Sequence, residues 1–487
     1  MLVTTRSPCG CGWHDGQVRH FDLCVIGSGS GNTIVDAAMD DWSVALVEGG
    51  TFGGTCLNVG CIPTKMYVYP ADLASLPAQA KALGVDLDLV DVRWPDIRDR
   101  IFGRIDHISE AGRDWRASGE NVTLFEQQAH FVGDHELALA AREGRAVQTI
   151  TADRFVIAAG SRPFIPSIPG LETVSYETSG TIMRIPAPPR SLVIVGGGYI
   201  GAELAHVFAS FGTRVTIVAR TPTMLPRADR QVAERFTQLL GHKVDIHTRT
   251  TVERVWPGAS GSGVVLSTRS EAGTELEVEA DMLLMATGRI SNADTLALET
   301  TGVEVDDAGR VVVDAQQRAS APGFFALGDV SSLYQLKHVA NHEARVVRHN
   351  LLHPDAPVDA DHRFVPHGVF SDPQVAAVGL TEEQAKEQGL DYAVGVRDYG
   401  GTAYGWAMGD EDHFAKVIAD RTTGRLLGAH LIGPQASSLI QPLTQAMSFG
   451  IPAHDVARGQ YWIHPAMAEV VENALLALPA PEGSLDV

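Results

Sequence analysis

Phe21 to Asn32 reads FDLCVIGSGSGN, and Val44 to Glu48 reads VALVE. A short apolar run enters a turn carrying Gly27, Gly29 and Gly31, a helical stretch is expected next, and a second apolar run ends in an acid. That acid lies about twenty residues past the first glycine, the spacing of a βαβ unit that binds a dinucleotide. Gly27 suits the tight turn, and Gly29 lets backbone amides approach a diphosphate at a helix N-terminus. Glu48 is placed to accept from a ribose hydroxyl. The third fingerprint position is Asn32 rather than glycine, so helix and strand must pack closely by other means.

The pattern recurs. Leu192 to Val195 runs into Gly196-Gly197-Gly198-Tyr199-Ile200-Gly201, with Glu203 inside the next helix and Val215 to Val218 as the next strand. Gly196, Gly198 and Gly201 fill all three fingerprint positions, so the chain is expected to carry two dinucleotide sites. The second strand is followed by Ala219-Arg220, where an NAD-preferring domain would carry an acid. Arg220, with Arg227 in support, suits a 2′-phosphate and favours NADPH over NADH; a pair of surface arginines is the alternative.

At 487 residues, with 45% hydrophobic residues and 49 glycines, the chain is read as two to four α/β domains rich in tight turns. No apolar run reaches the roughly 18 residues that span a bilayer. The first twenty residues lack the apolar core of a secretory signal, so a cytoplasmic protein is expected. The net charge of −21 argues against a nucleic-acid surface. Cys9, Cys11 and His14 lie in a segment read as a disordered extension, and no function is assigned to it.

Gly53 to Lys65 reads GGTCLNVGCIPTK. Cys56 and Cys61 are five residues apart, so a bridge between them needs a distorted turn, which Gly60 and Pro63 would permit. A helix beginning near them would favour thiolate over thiol. Three readings stand on spacing: a disulfide that opens and closes, two buried thiols, or half of a zinc site. Zinc sites usually add a second cysteine pair or histidines, and Cys61 is the last cysteine of the chain. Cys24, inside the first strand, is read as a core thiol. Near the C-terminus, His464-Pro465-Ala466-Met467-Ala468-Glu469 puts a carboxylate within reach of an imidazole, which would fix its tautomer and raise its basicity. Pro465 is expected in the first turn of the following helix, with Glu469 one turn in.

These motifs, in this order, resemble the flavin-dependent pyridine nucleotide-disulfide oxidoreductases, a family that includes glutathione reductase and dihydrolipoyl dehydrogenase. The resemblance runs from Phe21 to Ala477. It implies an α/β fold of two Rossmann-like domains, for FAD and NADPH, and a C-terminal α+β dimerisation domain. The implied boundaries are 1–20 for the extension, 21–165 and 289–358 for the FAD domain, 166–288 for the nucleotide domain and 359–487 for the interface domain. Turns and resemblance together assign FAD to Gly27, Gly29, Gly31, Asn32, Glu48, Gly54, Thr55, Lys65, Gly160, Gly328 and Asp329. They assign NADPH to Gly196, Gly198, Gly201, Glu203, Arg220, Arg227 and Gly288, and no metal is expected.

The resemblance further implies a Cys56–Cys61 redox disulfide, bridged at rest. Cys61 would lie nearer the flavin and Cys56 would attack the substrate. Lys65 would pair with Glu203 beside the flavin, and His464, oriented by Glu469, would serve as acid and base in the partner subunit's site of a homodimer. Within the family the resemblance runs to the branch acting on mycothione, the disulfide of a cysteinyl glucosaminyl-inositol thiol. It is carried by GSGSGN, by CIPTKMYVYPAD after the second cysteine, and by GTAYGW at Gly401 to Trp406. An NAD-linked dihydrolipoyl dehydrogenase and a non-enzymatic flavin sensor are the alternatives.

Overall fold

Leu23, Cys24, Val25 and Ile26 are all buried, and strand alternation sends them to opposite faces. Leu23 and Val25 join Ile34, Val35 and Leu327 in one core cluster, while Cys24 and Ile26 join Phe131, Phe155 and Phe324 in another. A strand that is apolar on both faces belongs in the middle of a covered parallel sheet. The computed structural model, which describes residues 18–141, 147–259, 261 and 263–480, has that arrangement. Across the sheet the order is Phe324–Ala326, Phe155–Ile157, Leu23–Ile26, Val44–Val47 and Val122–Phe125, every pair parallel. Cys9, Cys11 and His14 lie outside the described residues.

A second parallel sheet runs Glu177–Thr178, Met282–Met285, Ser191–Val195, Arg214–Val218 and Asp245–His247. Each of the two sheets has a glycine turn after a central strand, at Gly27 and at Gly196. The chain leaves the second sheet after Met285, and Arg289–Ser291 then pairs with Ser161–Pro163 in a two-stranded link. The run from Asp281 therefore still belongs to the second sheet, and the return begins only at Arg289. A third sheet, antiparallel, is ordered His367–Val369, Val375–Gly379, Leu426–Ile432, Phe414–Asp420 and Tyr392–Asp398. The helices Ala436–Phe449 and Glu469–Leu476 pack on it through Leu443, Val470 and Val471. Among the described residues no helix is long and apolar enough to cross a membrane.

Two local expectations need correction. The segment after the first glycine turn is not an α-helix but two 3-10 turns, Gly31–Thr33 and Ala37–Met39. Thr33, Ile34 and Val35 are consecutive β-branched residues, which lose side-chain freedom in a helix. The Thr33 hydroxyl donates to Ser30 O at 2.7 Å, and Asp36, extended at φ −144°, accepts from Ala38 N. Such side-chain bonds to the backbone compete with a helical ladder. Near the C-terminus, the helix starts at Glu469 itself, so Pro465 precedes it across a cis peptide with His464 and is not in its first turn.

Candidate active site

The cysteine stretch folds as two helices with a break between them. Gly54–Asn58 is a short helix, and the 22-residue Cys61–Ala82 helix starts just past Gly60. Only glycine fits at Gly60, because a Cβ there would come within 2.8 Å of Thr55 O and 3.1 Å of Cys56 Cα. The break sets Cys56 and Cys61 near enough for each thiol to shift the other's pKa, which five residues of continuous helix would not. The structure holds them as two thiols rather than as the bridge expected at rest. A dithiol is the two-electron-reduced form of such a bridge.

The two thiols are not alike. Cys61 is pulled down to about 7, first by the hydrogen bond from the Cys56 thiol and then by the Lys65 ammonium, with desolvation working against both. Cys56 is pushed far up, because it shares its proton with Cys61 and is partly desolvated. The helix start was expected to favour thiolate; Cys61 is lowered, but first by Cys56 and then by Lys65, with its own backbone amide a smaller cause, and Cys56 is raised. Cys24, fully buried in the sheet, has its thiol pushed up by burial and lies away from this chemistry.

One turn past Cys61, Lys65 Nζ donates to both carboxylate oxygens of Glu203 at 2.7 Å. Glu203 is only 4% exposed and Lys65 33%, so the pair sits at the edge of a cavity, not in open water. Glu203 also accepts from Phe370 N at 2.9 Å, and the Phe370 ring lies 4.8 Å under the ammonium. Three segments thus meet at this carboxylate: the cysteine helix, the helix of the second glycine turn and the end of a strand in the third sheet.

From the cysteines a cavity of about 610 Å³ runs back along the first glycine turn. It is lined by Gly27, Gly29, Glu48, Gly54, Thr55, Cys56, Cys61, Lys65, Gly160, Glu203, Gly328 and Asp329. Gly27, at φ +109°, could carry no side chain, since a Cβ would stand 2.3 Å from Ala158 O. Gly54 needs its glycine too, because a Cβ would lie 2.7 Å from the Gly29 Cα. Glu48 accepts from Ser28 N at 2.9 Å, Ser28 Oγ at 2.5 Å and Gly50 N at 2.7 Å. Ser28 Oγ in turn accepts from Gly53 N, which fastens the cysteine stretch to the glycine turn. Asp329 accepts from Ser161 Oγ at 2.6 Å, and Gly328 N donates to the buried Glu343.

Gly31 and Asn32 stand behind the cavity wall. A Cβ at Gly31 would meet Ala158 Cβ at 2.7 Å and Val25 Cγ1 at 3.0 Å, so Gly31 provides the close packing that Asn32 cannot. Asn32 instead accepts from Arg116 Nε at 2.6 Å.

The glycines of the second turn lie outside this cavity, although Tyr199 and Ile200 between them line it. Gly196 has φ +130° and would put a Cβ 2.2 Å from Ala286 O, and a Cβ on Gly201 would meet Gly196 O at 2.6 Å. Gly198 caps the Tyr199–Ser210 helix. Gly288, at φ +117°, has open space around it, and Arg220 and Arg227 are exposed beyond the neighbouring strand. His464 and Glu469 also stand apart from the cysteines. The imidazole Nδ1 and Glu469 Oε1 are 2.7 Å apart, but the histidine side chain is 70% exposed and neither residue lines the cavity.

Residues 21–344 match the pyridine nucleotide-disulphide oxidoreductase model, and residues 365–475 match that family's dimerisation domain. The chain belongs to this family. It is 52% identical over 465 residues to a mycothione reductase of Mycobacterium tuberculosis, covering 94% of this chain and 99% of the relative. A dihydrolipoyl dehydrogenase of Halobacterium salinarum is 33% identical over 467 residues, 93% of this chain and 95% of that one. Among solved structures, the HOCl-induced flavoprotein disulfide reductase RclA from Escherichia coli superposes with a TM-score of 0.80 at 30% identity. That match covers 93% of this chain and 99% of the other. This member of the family is an FAD-dependent NAD(P)H:disulfide oxidoreductase.

The residues present fit the flavin nucleotide. The cavity has a size usual for cofactor sites, its floor is glycine backbone, and a Cβ on Gly160 would stand in open space. Asn58 Oδ1, buried in the lining, has no donor among the described residues. Several lining residues carried no motif signal: Ser28, Ser161, Tyr199 and Lys337. Ser28 and Tyr199 lay inside quoted glycine motifs, but only as unspecified positions between the glycines. Tyr199, 45% exposed, sits on the wall next to Glu203.

Proposed function

We propose that this protein reduces mycothione to two mycothiols at the expense of NADPH, working as a homodimer through the Cys56–Cys61 pair. The observation that carries the reading is the split pair itself: Cys61 held toward thiolate beside Lys65, and Cys56 held as the protonated partner. The 52% identity to a mycothione reductase, against 33% to a dihydrolipoyl dehydrogenase, supports the substrate. Residues 21–165 and 289–358 would form the FAD domain, 166–288 the nucleotide domain and 359–487 the subunit interface.

Bound FAD and NADPH supply the two electrons that open the Cys56–Cys61 bridge to the dithiol. Gly27, Gly29, Glu48, Gly54, Thr55, Lys65, Gly160, Gly328 and Asp329 would hold the former, with Gly31 and Asn32 supporting the turn from behind the cavity wall. Gly196, Gly198, Gly201, Gly288, Arg220 and Arg227 would hold the latter, the two arginines suited to a 2′-phosphate, while Glu203, expected in this set from its motif, is engaged by Lys65 on the flavin side. Cys56 gives its proton to His464 of the partner subunit and attacks one sulfur of the substrate disulfide. A Cys56–substrate bond forms, the substrate S–S bond breaks, and the imidazolium returns its proton to the departing thiolate. Cys61 thiolate then attacks Cys56 Sγ, the protein disulfide re-forms, and the second half of the substrate leaves as a thiolate that takes from water the proton Cys61 released on ionising. The dithiol and the substrate disulfide thus become a protein disulfide and two thiols, with no external oxidant.

In this cycle Glu203 keeps Lys65 against Cys61, and Glu469 fixes the tautomer that leaves His464 Nε2 free to take the proton. The exposed His464–Glu469 pair suits a group that completes a neighbouring subunit's site. Steady-state assays test the reading: NADPH oxidation with mycothione, NADH oxidation with mycothione, and NAD reduction with dihydrolipoamide. NADPH with mycothione should be fastest, by about tenfold or more over the NADH reaction if Arg220 and Arg227 meet a phosphate. Fast turnover only with NAD and dihydrolipoamide would overturn the substrate and the direction together.

A further inference from the structure

The two glycine turns lead into different structures. Gly196 to Gly201 opens the twelve-residue Tyr199–Ser210 helix, whereas the Gly27–Gly31 turn leads only into the three-residue 3-10 turn Gly31–Thr33. An anion at an α-helix N-terminus benefits from summed peptide dipoles worth about half a charge. One 3-10 turn offers no such sum. The first turn, though, has full charges beside it. Lys337 Nζ donates to Ser30 Oγ at 2.8 Å in the middle of that turn and lines the cavity. Among the described residues no carboxylate pairs with it. Lys337 is also the first residue of the sixteen-residue Lys337–Leu352 helix, so its ammonium and that helix's positive end act at one wall.

Behind the same turn lies a second cation. The buried Arg116 donates to Asn32 Oδ1, Asn32 O and Val35 O, at 2.6, 2.6 and 2.8 Å, holding the irregular segment in place. Asp36, the acid of this segment, is engaged by Arg348 in a two-pronged pair. The positive charge on the cavity side of the turn is therefore left for a ligand.

We propose that Lys337, at the start of its own helix and backed by Arg116, supplies the positive charge that holds the diphosphate of FAD at the Gly27–Gly31 turn, where no α-helix opens. The proposal rests on the family's cofactor and not on the identity of the disulfide, so the two readings fail separately. The test is release of FAD from the holoenzyme, followed by the rise of flavin fluorescence on dilution over a series of NaCl concentrations. Lys337→Met should release FAD about tenfold more readily at low salt, and its release should depend less on salt than the wild type's. Lys337→Arg should stay within about threefold of wild type. Lys337→Gln, which keeps a donor for Ser30 without the charge, should behave like Lys337→Met. Wild-type retention of FAD by Lys337→Gln, or looser binding with an unchanged salt dependence, would show that the lysine acts by packing and would overturn the proposal.

Discussion

Cys56→Ser will lose disulfide reduction by at least about a thousandfold while keeping its FAD, because a hydroxyl cannot replace the attacking thiol. Cys56 is one of many residues lining the cofactor cavity, whose glycine floor is unaffected by the change. The same position governs its neighbour. The first cause of the lowered Cys61 pKa is the hydrogen bond from Cys56. Thiolate is the form that alkylates, so in the reduced wild-type protein the iodoacetamide rate at Cys61 should climb with pH through about 7. Cys56→Ala removes the donor and should move that climb to higher pH. Cys56→Ser keeps a donor and should leave it nearer the wild-type position. An unmoved profile in Cys56→Ala would mean that Lys65 alone sets the Cys61 charge.

The second large effect lies at His464. Removing a general acid and base costs about a hundredfold to ten-thousandfold, and His464→Ala should fall in that range. Where the imidazole acts is read by mixing. Cys56→Ser and His464→Ala chains are each inactive, but a mixed dimer holds one site with Cys56 of one chain and His464 of the other. Random co-assembly should then recover about a quarter of wild-type activity, since half the dimers are mixed and each has one intact site. If the histidine served its own chain, every site would lack one group and no activity would return. A different affinity tag on each chain, with recovery of dimers that carry both tags, separates that result from a failure to exchange subunits.

What local chemistry dictates was the legible part of the chain. Buried runs such as Leu23–Ile26 and Ser191–Val195 identify covered parallel strands, and glycines at Gly27 and Gly196 sit where a Cβ would strike a carbonyl. The break at Gly60 was readable from residue spacing, because two cysteines five apart need one. The 3-10 segment was not, although Thr33, Ile34 and Val35 held the warning: the glycine fingerprint outweighed a β-branched run that resists helix. Lys337 was invisible because it reaches Ser30 from 307 residues away and belongs to no motif. Phe370 is similar, since its amide on Glu203 could come from any residue type and its ring meets Lys65 from 305 residues away. Sequence spacing cannot show which groups long-range packing brings to a site.

The most direct measurement counts thiols. The oxidised enzyme is denatured and alkylated before and after one equivalent of NADPH under anaerobic conditions, and the labelled cysteines are mapped by mass spectrometry. Two new labels are predicted, on Cys56 and Cys61 together, both lost again on adding mycothione. Equal labelling before and after NADPH, or new label confined to Cys24, would contradict an electron path through this pair.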